Sequence, residues 1–250
     1  GMLAYVDYTK PPLRENVHPK LIPQIAPITY NRAHPMTTEN HPNGFTVRDL
    51  VKGWGKITPG GFSAYWYTYN LAEVSAPNPF ITKYSTDLPI LFDNNCQFWQ
   101  PETMANFETV MPALVLGMRL SWDKRLKPSD VIEDLMTKFY GSAAGEMTAY
   151  WNHIDRSWID TREFSGCGFG YLRIFTPEVL KKARQLMNEA LAACSTPLEH
   201  RRVYLANESL ILLEQFMKLR SDLADGRLAK LKIEADIWRG YAEQLARNYR

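Results

Sequence analysis

The segment GGFSAYWYTYN, Gly60 to Asn70, sets five aromatic rings between Phe62 and Tyr69 and then breaks off at Asn-Leu-Ala. Side chains along a strand point alternately to opposite faces. Ser63, Tyr65, Tyr67 and Tyr69 therefore share one face, and Phe62, Ala64, Trp66, Thr68 and Asn70 share the other. Neither face is plainly polar, so the strand is expected to be covered on both sides, as in a parallel sheet. The rings raise a second expectation. A tyrosine or tryptophan near a strand end buries a flat apolar body and still offers a hydroxyl or an indole N–H, the mixture that a sugar requires. Core packing is the competing reading for any single ring.

Around that strand, the chain of 250 residues is long enough for one barrel-sized domain or two smaller ones, and its 45% hydrophobic content makes it globular. The net charge of +2 comes from 29 basic and 27 acidic residues spread through the chain. That balance leaves no electrostatic footprint for nucleic acid or an anionic membrane. No apolar run approaches the roughly 20 residues of a membrane helix, so no membrane insertion is expected. Gly1 ahead of Met2 reads as the remnant of a cleaved tag, and the sequence by itself assigns no compartment. Cys96, Cys167 and Cys194 are too few and scattered for a disulfide framework and read as buried small residues. The five histidines form no metal-ligand pattern, and no cofactor or metal is called for.

Up to Trp122, short apolar runs alternate with connections rich in Pro, Asn and Gly. Strands are expected at Leu3 to Tyr8, Ile25 to Tyr30, Gly61 to Tyr69 and Cys96 to Trp99. Helices are expected from Thr46 to Trp54 with Thr46 as cap, from Pro79 to Asn94 with Pro89 as a break, and from Val110 to Trp122. From Pro128 onward apolar residues recur at helical spacing, with helices at Ser129 to Tyr140, Thr176 to Cys194, Leu198 to Leu223 and Gly226 to Tyr249. Another helix is expected to begin at a Ser142 cap and to turn the stripe Met147, Tyr150, Trp151, Ile154 and Trp158 toward the front of the chain. The fold class is α/β: about four parallel strands forming the C-terminal half of a (β/α)8 barrel over residues 1–122, then an α-helical bundle over residues 123–250. Four parallel strands cannot close a barrel. Their apolar edges call for a partner, either a second copy of the chain or a first barrel half supplied from upstream.

In such a fold active-site groups gather at the C-terminal ends of the strands. Asp7 ends the first strand, Asn31 and Arg32 follow the second, Trp66, Tyr67, Tyr69 and Asn70 end the third, and Glu102 lies three residues past Trp99 in FWQPETMANFE. A glycosidase needs two carboxylates across the scissile bond. Asp7 and Glu102 are the two at strand ends, at the outer positions of the four strands, a gap wider than the pair requires. A helix-start charge for Glu102 and a turn position for Asp7 are the plain alternatives. SGCGFG, Ser165 to Gly170, lacks phosphate-loop spacing and reads as a connection between helices.

LAYVDYTKPP, WYTYN and above all LSWDKRLKPSDVIEDLMTKFYGSAAGEMTAYW, Leu120 to Trp151, resemble the bacterial proteins grouped as domain of unknown function 4838, frequent in gut Bacteroidetes. The matching positions are Leu120, Trp122, Asp123, Phe139, Tyr140, Gly141, Ala143, Ala144, Tyr150 and Trp151, and the resemblance runs from about Leu3 to Ile159. It implies a glycoside-hydrolase-like barrel, a periplasmic or secreted location, and a glycan or oligosaccharide as ligand. It also implies that Tyr5, Trp66, Tyr67, Trp99 and Glu102 line one side of a sugar cleft, with Glu102 as the catalytic candidate and Asp7, Asn31, Arg32 and Tyr69 as further contacts. The first barrel half, with the acid/base pair of hexosaminidase-like relatives, has no counterpart in the chain.

Overall fold

The computed structural model describes residues 1–38, 44–68, 76–103, 107–162, 164 and 173–248. Its strands β1 (Met2–Tyr5), β2 (Pro23–Ala26), β3 (Phe62–Tyr67) and β4 (Cys96–Glu102) form one all-parallel sheet in the order β1-β2-β3-β4. Sequential order has a consequence. Parallel crossovers share one hand, so without a reversal of strand order every connection falls on the same side of the sheet.

Burial follows that rule. Ala4, Ile25, Phe62, Ala64 and Trp66 pack in one cluster with residues of α1 (Val47–Ile57), α2 (Ile81–Asp93) and α3 (Met111–Trp122). The opposite face carries Leu3, Tyr5, Gln24, Tyr65, Tyr67, Phe98, Gln100 and Glu102, brought side by side by the pairings Leu3↔Gln24, Tyr65↔Gln100 and Tyr67↔Glu102. Leu3 and Phe98 on this face are 55% and 61% exposed. The expectation of cover on both sides is thus corrected: helices cover one face, and the other is open among the described residues.

Strand limits also differ from those read in the sequence. β1 stops at Tyr5 because Val6 takes a left-handed φ of 52° and Val6–Tyr8 winds into a 3-10 turn, leaving Asp7 exposed on the turn. β2 ends before Pro27, which has no N–H to give a ladder. β4 runs on to Glu102, placing that carboxylate on the strand itself. Between Phe62 and Ser63 the register slips by one, because Phe62 pairs with Cys96 and Ser63 with Phe98. Gly61 permits this bulge: its φ is +80°, and a Cβ there would fall 2.5 Å from Gln97 Cγ.

α1 begins as expected, with a reciprocal capping box between Thr46 and Asp49, and buries Val47, Leu50, Val51 and Trp54. Trp54 Nε1 donates to Thr9 O at 2.8 Å, which ties the β1–β2 crossover to the helix layer. Beyond α3, the helices α4 (Pro128–Tyr140), α5 (Ala144–Ile159), α6 (Pro177–Ala193) and α7 (Pro197–Ala224) pack around a second core, and α8 (Leu228–Asn248) lies against α7. Ser142 does not cap α5. It lies in the 3-10 turn Gly141–Ala143, and its hydroxyl bonds Ala193 O at 2.7 Å and Glu199 Oε2 at 2.8 Å. The α5 stripe is fully buried, and it divides its contacts. Trp158 Nε1 reaches forward to Pro77 O at 3.0 Å, whereas Trp151 Nε1 donates to Tyr140 within the helical core. The segment SGCGFG, including Cys167, lies outside the described residues, as do Tyr69 and Asn70.

Candidate functional site

β3 and β4 lie in register so that Tyr65 neighbours Gln100 and Tyr67 neighbours Glu102, and Thr68 N continues the pairing to Glu102 O at 3.0 Å. Because Tyr65 and Tyr67 are two residues apart, both rings stand on the open face, 5.4 Å between centroids and edge to face at 70°. Tyr65 donates its hydroxyl to the Glu102 carboxylate, and Tyr67 donates to the Tyr5 hydroxyl two strands away. Partial burial and then the Glu102 charge push the Tyr65 phenol upward. Burial foremost, then Tyr5 and Glu102, does the same for Tyr67. The phenols are held as neutral donors.

Glu102 Oε2 is shielded from solvent and has no hydrogen-bond partner among the described residues. A buried acceptor left unpaired costs about 1–3 kcal/mol, so the site retains one strong demand for a donor. Above Tyr67 lies the guanidinium of Arg32, with Cζ 5.0 Å from the ring centroid. Arg32 is 4% exposed and sits in a loop tied down from below. Asn31 Oδ1 accepts from Ala33 N at 2.9 Å, and its amide meets His34 Nδ1 at 2.8 Å. His34 Nε2 contacts Thr161 O at 2.8 Å. Lys83 donates to His34 O and to Asp87 at 2.7 Å each, while Asp87 accepts from Met36 N at 2.7 Å. Burial pushes the Asp87 carboxyl up, and the adjacent Lys83 ammonium opposes that shift.

The nine expected site residues therefore separate. Tyr5, Tyr67 and Glu102 come together at the C-terminal end of the open face, with Arg32 over Tyr67. Asn31 is 3% exposed and works as the loop's internal knot. Asp7 stands in solvent on the turn that follows β1, the strand at the far edge from Glu102. Tyr69 lies outside the described residues. The two tryptophans are corrections. Trp66 is 4% exposed and turned into the helix layer. Trp99 packs edge-on against Tyr84 at 5.7 Å and against α3, where a Cβ on Gly117 would come 2.2 Å from its ring. Tyr65, missed as a site residue, was marked by alternation alone as the companion of Tyr67.

Among the described residues no group of three or more His, Cys, Asp or Glu side chains gathers as a metal site. None of their helices is long and apolar enough to cross a membrane. Residues 1–152 match the family described as Domain of unknown function (DUF4838). No curated protein and no solved structure matches the chain.

Proposed function

The chain belongs to the DUF4838 family, a description that assigns no chemistry, and on the geometry above we propose that its sheet is half of a (β/α)8 barrel whose mouth binds carbohydrate. The observation that carries this reading is the convergence of Tyr5, Tyr65, Tyr67 and Glu102 on the open face at the C-terminal ends of parallel strands. Barrels place ligands at that end. Sugars are recognised by ring faces flanked by fixed donors and acceptors, and here the Tyr5 hydroxyl as donor, the phenol oxygens of Tyr65 and Tyr67 and the Glu102 carboxylate as acceptors, and a guanidinium supply them.

Binding is favoured over hydrolysis by the chain alone. Retaining and inverting glycosidases hold their carboxyl pair about 5–9.5 Å apart. Glu102 is the carboxylate of the cluster, and Asp7 follows β1, three strand spacings or roughly 14 Å away in an open sheet. A glycan array probed with the wild-type protein and with Tyr67→Ala tests the reading. Wild-type binding to a glycan class that the variant loses, by about 1–2 kcal/mol or roughly tenfold, is the expected result. Failure of the wild type to bind any glycan, or full retention by Tyr67→Ala, sinks it. Glu102→Gln is expected to weaken the same binding, and hydrolysis of aryl glycosides by the wild-type chain alone would overturn the preference for binding.

A further inference from the structure

We infer that the sugar held at this mouth carries a protonated amine, seated on the Glu102 carboxylate among the three tyrosines. The inference deepens the carbohydrate reading above and rests on it for the class of ligand.

The cluster is rich in acceptors. The phenol protons of Tyr65 and Tyr67 are already engaged, one on Glu102 and the other on the Tyr5 hydroxyl, so these two tyrosines turn oxygen lone pairs toward a ligand. An ionised carboxylate accepts and never donates, and Glu102 Oε2 has no hydrogen-bond partner among the described residues. Against these acceptors the Tyr5 hydroxyl, having taken the Tyr67 proton, still has its own proton to give. The amides on the same face do not change the balance at Glu102. Gln100 lies two residues back along β4, and its Oε1 accepts from Gln24 Nε2 at 3.0 Å. Arg32 is 4% exposed and meets the mouth across the face of the Tyr67 ring. Its charge acts on the Tyr84 phenol in the helix layer, whereas Glu102 supplies the charge that acts on Tyr65 and Tyr67.

An ammonium group fits this inventory, because it has three N–H donors and no acceptor. A sugar hydroxyl brings lone pairs along with its one donor. An N-acetyl group sets a carbonyl oxygen among oxygens that also seek protons, and a uronic acid meets Glu102 with like charge. Between ammonium and carboxylate the hydrogen bond carries charge on both sides and is about twice as strong as a neutral one. Phenol rings add to the preference, since their faces attract cations. Arg32 over Tyr67 shows that attraction within the same cluster.

Two-dimensional NMR titration of the full chain, which reads weak affinities, tests the inference. The probes are glucosamine, galactosamine and mannosamine, each beside its parent hexose and its N-acetyl derivative, in mildly acid buffer where the amine is protonated. At least one amino sugar is expected to bind roughly tenfold tighter than both of its neutral counterparts. Glu102→Gln keeps the shape of the side chain and removes its charge, and is expected to bring that ratio to about one with an unchanged far-ultraviolet spectrum. Equal binding of the three forms, a preference for the hexose or the N-acetyl form, or an amine preference that survives Glu102→Gln overturns the inference and leaves the carbohydrate reading standing. Cyclohexylamine, an amine without the sugar hydroxyls, separates the two in the other direction. If it binds as tightly as the amino sugars, the amine seat on Glu102 stands and the carbohydrate reading falls. If no probe binds, both fall.

Discussion

Glu102 and Tyr65 form the hydrogen bond on which the mouth's chemistry turns. Burial first, then the charge of the carboxylate and the hydrogen bond it accepts, keep the phenol protonated. Glu102→Gln removes that charge, so the Tyr65 phenol is expected to fall toward the ordinary value of 10. Spectrophotometric titration of the phenolate band, with Tyr65→Phe identifying the transition, measures it. An unchanged Tyr65 transition would show that the two side chains do not meet. Gly117 is the other residue whose role is purely local. Its missing Cβ makes room for the Trp99 ring, and Gly117→Ala is expected to cost about 1–3 kcal/mol in chemical denaturation, despite alanine's better helix propensity.

Among elements, the loop that carries Arg32 depends on α2. Lys83 and Asp87 are 5% and 0% exposed, four residues apart on that helix, and between them bond His34 O and Met36 N. Removal of one partner strands a buried charge. Lys83→Met is therefore expected to destabilise by about 3–5 kcal/mol, and Lys83→Met with Asp87→Leu by distinctly less, as read from urea midpoints. At the other end of the molecule Glu199 joins three elements, accepting from Ser142 and from the Ser195 and Thr196 backbone. The Ser142 hydroxyl first, then the backbone N–H groups of Ser195 and Ser142, hold its carboxyl down at about 2, against an ordinary 4.5. A depressed carboxylate stabilises above its unfolded value and loses that contribution as pH falls. The protection factors of the Ser142 and Ser195 amides, taken relative to the intrinsic exchange rate at each pH, are thus expected to fall between pH 4.5 and 2, and to be low throughout in Glu199→Gln. The helices and the cap of α1 were legible in the sequence, whereas the Ser142 cap was misplaced and the start of α7 was set at Leu198 rather than at its Thr196 cap. Thr46 with Asp49 three residues later is a local signal that was read, and Thr196 with Glu199 is the same signal, passed over. The end of β1 was not legible, because Val6 adopts a left-handed backbone that its β-branched side chain disfavours, and no neighbouring residue announces it.

At the scale of the molecule, the question that alternation left open was which face of β3 meets the helices. Both faces carry rings, so β3 has no polarity of its own. The answer lay in its neighbours. Gln24 on β2, and Gln100 and Glu102 on β4, share the face of Tyr65 and Tyr67, whereas Ile25 and Ala64 share the face of Trp66. Polar residues at the same register of separate strands mark the face without helices, but only once the register is known, and register is a long-range property. The tryptophans were assigned to the cleft for lack of it. The account now stands on tyrosines. Its most direct test is a two-dimensional NMR titration of the protein with an oligosaccharide that it binds, following tyrosine ring and tryptophan indole signals together. The account predicts that Tyr5, Tyr65 and Tyr67 shift while the indoles of Trp66 and Trp99 stay in place. Movement of those indoles with the three tyrosine rings unperturbed would contradict it.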